Sequence, residues 1–244
     1  RDVDLILTNS KANAEQYTRR DGIHPVPIGV FIDPARVVAQ KHEHKNVLFI
    51  NPSLAKGAAL VIRMAMLLEK DRPDINFEVV ESRGAWESLL EQTSKQYGTP
   101  RKKLANVAVT QNTNDMRPVY QRARVLLAPS LWWEAYGRVI TEARMNAIPV
   151  ITTNRGGLPE ASGNSGILFD LAEQYFEPPY QKIPPDEVLK RVTSQIIRFF
   201  DDEKYFRQMR ERISLGNESI ELDKRTRLLE QLLCDTMEHA FNEC

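Results

Sequence analysis

Cysteine is nearly absent from this sequence, and its scarcity narrows the class of protein. Only two cysteines occur among 244 residues, Cys234 and Cys244, and both fall at the carboxyl end of the chain. Two cysteines placed there cannot provide the disulfide framework of a small secreted domain. We therefore expect a protein of a reducing compartment, the cytoplasm.

Net charge and long apolar runs are also missing. The 33 lysines and arginines balance the 33 aspartates and glutamates, so no global field attracts nucleic acid or an anionic membrane. No stretch approaches the roughly 18 apolar residues that a membrane-spanning helix needs, and no secretory signal opens the chain. With 42% hydrophobic residues, the chain can nevertheless fill a large core. We expect a globular protein that has no nucleic-acid partner.

Apolar strands alternate with helical segments from residue 46 to residue 153. The strands NVLFI, NFEVVE, NVAVT, RVLLAPS and PVITT are separated by segments with an apolar helical face and short loops. GILFD adds one more strand, and the remainder reads as helix. This order predicts the fold class α/β, a doubly wound, Rossmann-like parallel sheet with a helical C-terminal tail.

The first residues read as the end of another domain. VDLILTNS predicts a strand that leads to Ser10 as a helix N-cap, but one strand and one helix cannot close a parallel sheet. We therefore assign residues 1–30 to the remnant of an N-terminal domain and a connector. Residues 31–215 form the predicted Rossmann-like domain, and residues 216–244 form a terminal helix that packs back on the N-terminal domain.

Two loops at predicted strand ends carry the chemistry. In open α/β sheets, ligands bind outside the carboxyl ends of the strands. The loop NPSLAKG places Lys56 and Gly57 at a helix start, where unpaired N–H groups and an ammonium both attract an anion such as phosphate. A solvated lysine at a helix end is the plainer interpretation of Lys56 alone.

The second loop lies in PSLWWEAYGRVITEA, residues 129–143, where Glu134 precedes a helix start near Gly137 and Glu142 follows it. Either carboxylate could simply be a surface residue or complement the helix dipole. Two carboxylates that bracket an anion-binding turn also suit a nucleotide sugar, because carboxylates accept hydrogen bonds from hydroxyls while the diphosphate occupies the space between them.

The stretch 129–143, followed by IPVITTNRGGLPE, resembles the signature of retaining GT-B glycosyltransferases of the family 4 type, which use nucleotide-diphospho-sugars. Glu134 and Glu142 have the family's E-x7-E spacing. The surrounding positions also match the family pattern: Pro129, Ser130, Gly137, Ala143, Pro149, Val150, Gly156, Gly157, Pro159 and Glu160. The resemblance covers most of residues 1–215 and identifies the chain as the C-terminal, donor-binding half.

The resemblance implies roles for individual residues. Glu134 and Lys56 become the catalytic pair, with Glu134 on the donor sugar and Lys56 on the diphosphate. Glu142 would hold the ribose, and the backbone of Ala135, Tyr136 and Gly137 would lie near the sugar and phosphates. Asn112, in the segment that usually meets the base, is a further expected contact.

The same resemblance implies no cofactor and no metal, because lysine and a helix N-terminus do that work in these enzymes. The sequence has one D-x-D, Asp2-Val3-Asp4, and it flanks a strand at the N-terminus. The family often carries arginine five residues before the loop lysine, where this chain has Asn51. Arg83 or Arg138 could replace it on the diphosphate.

The resemblance leaves the acceptor open, because it implies that the domain that selects the acceptor lies outside this sequence. The acceptor could be a glycan, a lipid-linked molecule or a small molecule, and the missing domain or a partner chain could bring the protein to a membrane. Isolated, we expect the chain to transfer sugar poorly or not at all. The alternatives are a related GT-B phosphorylase or epimerase, a non-catalytic nucleotide-sugar-binding module, and one half of a split enzyme.

Overall fold

A six-stranded parallel sheet with helices on both faces forms the framework of the protein, as predicted. The computed structural model describes residues 3–82, 84–215 and 218–242. Its sheet strands are β3 (Asn46–Ile50), β4 (Asn76–Val80), β5 (Val107–Thr110), β6 (Ala123–Ala128), β7 (Val150–Thr153) and β8 (Gly166–Phe169). The connecting helices are α3 (Ala58–Asp71), α4 (Trp86–Lys95), α5 (Arg117–Arg122), α6 (Arg138–Met145) and α7 (Leu158–Ser162).

The strand order creates a crevice in the middle of the sheet. The order is β5-β4-β3-β6-β7-β8, and every neighbouring pair is parallel. The chain therefore runs outward from β3, returns to place β6 beside β3, and runs outward in the other direction. The loops that follow β3 and β6 diverge to opposite faces, which leaves a cleft for ligands at their carboxyl ends.

Strand β3 shows how the sequence builds the two layers of the core. Successive side chains of a strand point to opposite faces of the sheet. Val47 and Phe49 accordingly join the apolar cluster under α3, α4 and the C-terminal helices, whereas Leu48 joins the cluster under α5 and α6. All three are fully buried, so a continuous apolar run rather than an alternating one marks this strand.

A separate, two-stranded parallel sheet precedes the main one. It pairs β1 (Leu7–Thr8) with β2 (Val26–Pro27) around helix α1 (Lys11–Asp21). The side chain of Ser10 accepts a hydrogen bond from the backbone N–H of Asn13, which confirms the predicted N-cap. β2 lies in the proline-rich segment that reads as a connector, and the short helix α2 (Pro34–Val37) follows it. The assignment of residues 1–30 to another domain stays a prediction.

The C-terminal part is helical, as the sequence predicts. It comprises α8 (Asp186–Asp201), α9 (Glu203–Leu215) and α10 (Glu218–Asn242). Asp202 separates α8 from α9, and its carboxylate accepts a hydrogen bond from the backbone N–H of Tyr205 at 2.8 Å, in the manner of an N-cap. Within the described ranges, no helix combines the length and apolar character needed to cross a bilayer.

Candidate functional site

A cavity of about 290 Å³ lies at the carboxyl ends of β3 and β6, where the strand order predicts a ligand crevice. The loop after β3 contributes Asn51 and Lys56 to the lining of the cavity. The loop after β6 contributes several of residues 130–137, among them Trp132 and Glu134. Arg138, the first residue of α6, also lines the cavity. The two loops that the sequence singles out therefore meet in one place.

Lys56 and Glu134 form an ion pair inside this cavity. The ammonium of Lys56 contacts the Oε1 atom of Glu134, and Ser130 Oγ donates a hydrogen bond to the same carboxylate oxygen at 2.9 Å. The side chains of Lys56 and Glu134 are 30% and 11% exposed. Lys56 Nζ also lies 5.3 Å from the ring centroid of Trp132, close enough for a cation–π contact. The pair is thus held by two further side chains.

The backbone fixes the two loops against each other. The carbonyl oxygen of Ala55 accepts hydrogen bonds from the backbone N–H groups of Leu131 at 2.8 Å and Trp132 at 3.2 Å. Gly57 has a φ of +80°, and a Cβ atom there would lie 2.1 Å from the carbonyl oxygen of Pro129. Only glycine tolerates both the dihedral angle and the close approach. This packing sets the position of Lys56 relative to Glu134.

Gly156 and Gly157 support the Glu134 loop from the other side. The N–H of Gly157 donates to the carbonyl oxygen of Glu134 at 2.7 Å. A Cβ atom on Gly156 would lie 2.3 Å from that oxygen, and one on Gly157 would lie 2.5 Å from the carbonyl oxygen of Ala135. The glycine pair therefore allows two backbones to touch, which gives a physical reason for its place in the motif.

Glu142 lies next to the cavity, although it is absent from the described residues that line it. It is buried on α6, where its Oε2 accepts a hydrogen bond from the hydroxyl of Tyr120 at 2.7 Å and its Oε1 accepts one from Arg138 Nε at 2.7 Å. Burial and the neighbouring Glu142 carboxylate raise the pKa of Tyr120 well above its usual range. The phenol therefore stays protonated and donates to the carboxylate.

Tyr136 connects the site to the C-terminal helix α10. Its side chain is buried, and its hydroxyl accepts a hydrogen bond from Arg225 Nη2 at 3.3 Å. Arg225 also donates to the carbonyl oxygen of Val30 at 3.1 Å. Gly137, with a φ of +105°, turns the chain into α6. Tyr136 and Gly137 thus line the cavity as well as shaping it.

The remaining predicted contacts differ in where they lie. Asn51 follows β3 with a φ of +62°, and its backbone N–H donates to the carbonyl oxygen of Val80 at 2.9 Å. Asn112 is exposed in the loop after β5, an edge strand, and it is absent from the described cavity lining. Arg83 lies outside the described residues. The structure thus brings Asn51 to the cavity and leaves Asn112 apart from it.

Asn9 is a cavity residue that was not predicted from the sequence. It follows β1 and lines the cavity together with Asn51 and Lys56. A polar residue at the carboxyl end of a strand, just before the N-cap Ser10, was the available signal.

For metal ions, the described part of the chain shows no group of three or more histidine, cysteine, aspartate or glutamate residues that could hold one.

Comparisons with known proteins show which family the sequence matches. The sequence model of the family described as "Glycosyl transferases group 1" matches residues 33–175. The chain is 28% identical over 145 residues to spore coat protein SA of Bacillus subtilis strain 168, covering 56% of this chain and 38% of that protein. It is 34% identical over 124 residues to the D-inositol 3-phosphate glycosyltransferase of Paenarthrobacter aurescens strain TC1, covering 47% and 29%.

A solved structure supports the fold. The crystal structure of HepE from Anabaena in complex with UDP and glucose matches with a TM-score of 0.72 and 16% identity, over 95% of this chain and 63% of that chain. The chain spans 38% and 29% of the lengths of the two curated relatives. The comparisons therefore concern a part of those proteins.

Proposed function

Because the chain belongs to the glycosyl transferases group 1 family, we propose that it is the donor-binding half of a retaining glycosyltransferase. The complete enzyme would move a hexose from a nucleotide-diphospho-sugar to an acceptor hydroxyl in glycan or glycoconjugate synthesis. The observation that carries this proposal is the cavity in which Lys56 and Glu134 are paired at the carboxyl ends of β3 and β6. The HepE structure holds UDP, which supports a nucleoside diphosphate as the ligand.

The proposed chemistry follows from the charge that must be stabilised. Departure of a nucleoside diphosphate builds negative charge on phosphate oxygens, and fixed cations and N–H donors near those oxygens lower the barrier. In this proposal Lys56 and the first turn of α6 supply these groups, without a metal ion or another cofactor. Glu134 would accept hydrogen bonds from donor sugar hydroxyls, and Glu142 from the ribose. The base contact of Asn112 stays a prediction.

A second half would complete the enzyme. Apolar side chains are exposed on the N-terminal segment, at Ile6 and Phe31, and on α10, at Leu233 and Met237. Exposed apolar surface of this kind commonly marks a protein–protein contact. We propose that the N-terminal domain or a partner chain covers it and supplies the site for the glycan, lipid-linked or small-molecule acceptor. The reaction would take place in the cytoplasm, with any membrane contact made by that other half.

Calorimetric titration of the chain with UDP, GDP and ADP tests the donor site. One of the three should bind measurably, and Glu142→Gln should weaken it because the ribose loses its charged acceptor. The absence of binding at millimolar concentration for all three would refute the proposal. In the full-length enzyme, NMR of the product should show the anomeric configuration of the donor, and an inverted product would contradict retention.

A further inference from the structure

Both carboxylates of the site are paired with a cation. Lys56 contacts Glu134, and Arg138 contacts Glu142. Among the described residues that line the cavity, Lys56 and Arg138 are the two cationic side chains. A diphosphate needs more than one positive partner to be neutralised, so Arg138 is the natural second candidate.

The position of Arg138 is unfavourable for helix stability alone. It is the first residue of α6, whose N-terminus carries a partial positive charge, and a cation there is repelled by the helix dipole. Its ion pair with Glu142 has the order Arg at i and Glu at i+4, which is the weaker orientation. Anions are stabilised at this position, so a bound phosphate would turn an unfavourable charge into a favourable one.

Exposure makes Arg138 available for such a ligand. Its side chain is 69% exposed, whereas the side chain of Glu142 is 8% exposed. When Arg138 leaves, the buried carboxylate of Glu142 keeps the hydrogen bond from Tyr120 and gains one from the ribose, so it is not left without a partner. Arginine binds phosphate through two parallel, charge-assisted hydrogen bonds, which together are stronger than the ion pair with Glu142. The exchange of carboxylate for phosphate is therefore favoured once the donor is present.

We propose that Arg138 is a diphosphate-binding residue that exchanges Glu142 for phosphate when the donor enters. This inference rests on the proposed function. Each cation then moves from a carboxylate to the diphosphate, and each carboxylate takes a donor hydroxyl instead. Tyr120 continues to donate to Glu142 and keeps its carboxylate in place during the exchange. The two ion pairs thus lie where the phosphates and hydroxyls of the donor would bind.

Binding of UDP and of uridine to Arg138→Gln separates this role from a structural one. Glutamine can still hydrogen-bond to Glu142, but it cannot neutralise phosphate. We expect UDP to bind about 10-fold more weakly, because a charge-assisted hydrogen bond is lost. Uridine has no phosphate, so its affinity should stay within about twofold of that of the unmodified chain. The affinity should otherwise increase, since the ribose no longer competes with a cation for Glu142. Arg138→Lys should restore much of the affinity for UDP.

Arg36→Gln is the matched control, because Arg36, like Arg138, is exposed and paired with a carboxylate. Arg36 lies on α2 rather than α6, and its partner is Asp33. It should bind both ligands as the unmodified chain does. An equal loss of UDP and uridine affinity in Arg138→Gln, or no loss of UDP affinity, would overturn the inference and leave the proposed function standing. Failure of the unmodified chain to bind UDP, GDP or ADP would overturn both. If GDP or ADP binds best, that diphosphate and its nucleoside replace UDP and uridine.

Discussion

Replacement of Gly157 by alanine should damage the site without touching a charged residue. The added Cβ atom would lie 2.5 Å from the carbonyl oxygen of Ala135 and 2.7 Å from Tyr136 Cα, and neither backbone atom can rotate away. Gly157 has a φ of −81°, so alanine meets no dihedral penalty there. Overpacking costs up to about 3 kcal/mol, and the lower entropy of the unfolded chain offsets about 1 kcal/mol. We expect a net loss of about 2 kcal/mol.

Urea unfolding followed by UDP titration measures both consequences of Gly157→Ala. The free energy of unfolding should fall, and UDP should bind more weakly because the backbone from Glu134 to Tyr136 must shift. Gly98→Ala is the control, since Gly98 has a φ of +74° but nothing within 4 Å of an added Cβ atom. It should lose about 1 kcal/mol of stability and no affinity. A Gly157→Ala chain that matches the original in stability and affinity would refute the packing argument.

Two further predictions concern stability. Asn146 is buried, and its amide group makes hydrogen bonds to the backbone of Val37, Ala39 and Glu142. Asn146→Ala should therefore lower the free energy of unfolding, measured by thermal denaturation, by about 2–4 kcal/mol. A loss below about 1 kcal/mol would contradict this. Burial is the main cause that lowers the pKa of His44 from 6.5 to about 4 in the folded chain. Between pH 6.5 and pH 4 the unfolded chain therefore binds more protons than the folded chain. Stability should therefore fall as the pH drops from 6.5 to 4, and His44→Asn should reduce that slope in urea unfolding; an unchanged slope would contradict the prediction.

The sequence was sufficient for the framework because local patterns determine it. The run from Val47 to Phe49 is apolar on both faces, which is characteristic of a central parallel strand, and the structure confirms it. The loop residues Lys56 and Glu134 could be placed at one edge of the sheet because the carboxyl ends of parallel strands meet there. Such predictions need only the order of strands and helices.

Long-range contacts were beyond the sequence. The spacing between Glu134 and Glu142 does not reveal that Tyr120, on a different helix, holds the Glu142 carboxylate. The cavity position of Asn9 depends on how the small β1–β2 sheet lies beside the larger one. The pairing of β2 with β1 was also not predicted, because a short extended run in a proline-rich segment does not reveal its partner strand. In each case the decisive partner is distant along the chain.

The central claim is that Lys56 neutralises the donor diphosphate, and one comparison tests it most directly. UDP, or whichever of GDP and ADP binds best, is titrated into Lys56→Met and into Lys45→Met, whose lysine is exposed and also paired with a carboxylate, Glu43. We expect Lys56→Met to weaken binding about 10- to 100-fold and Lys45→Met to leave it unchanged. Equal affinities for the two variants would contradict the claim.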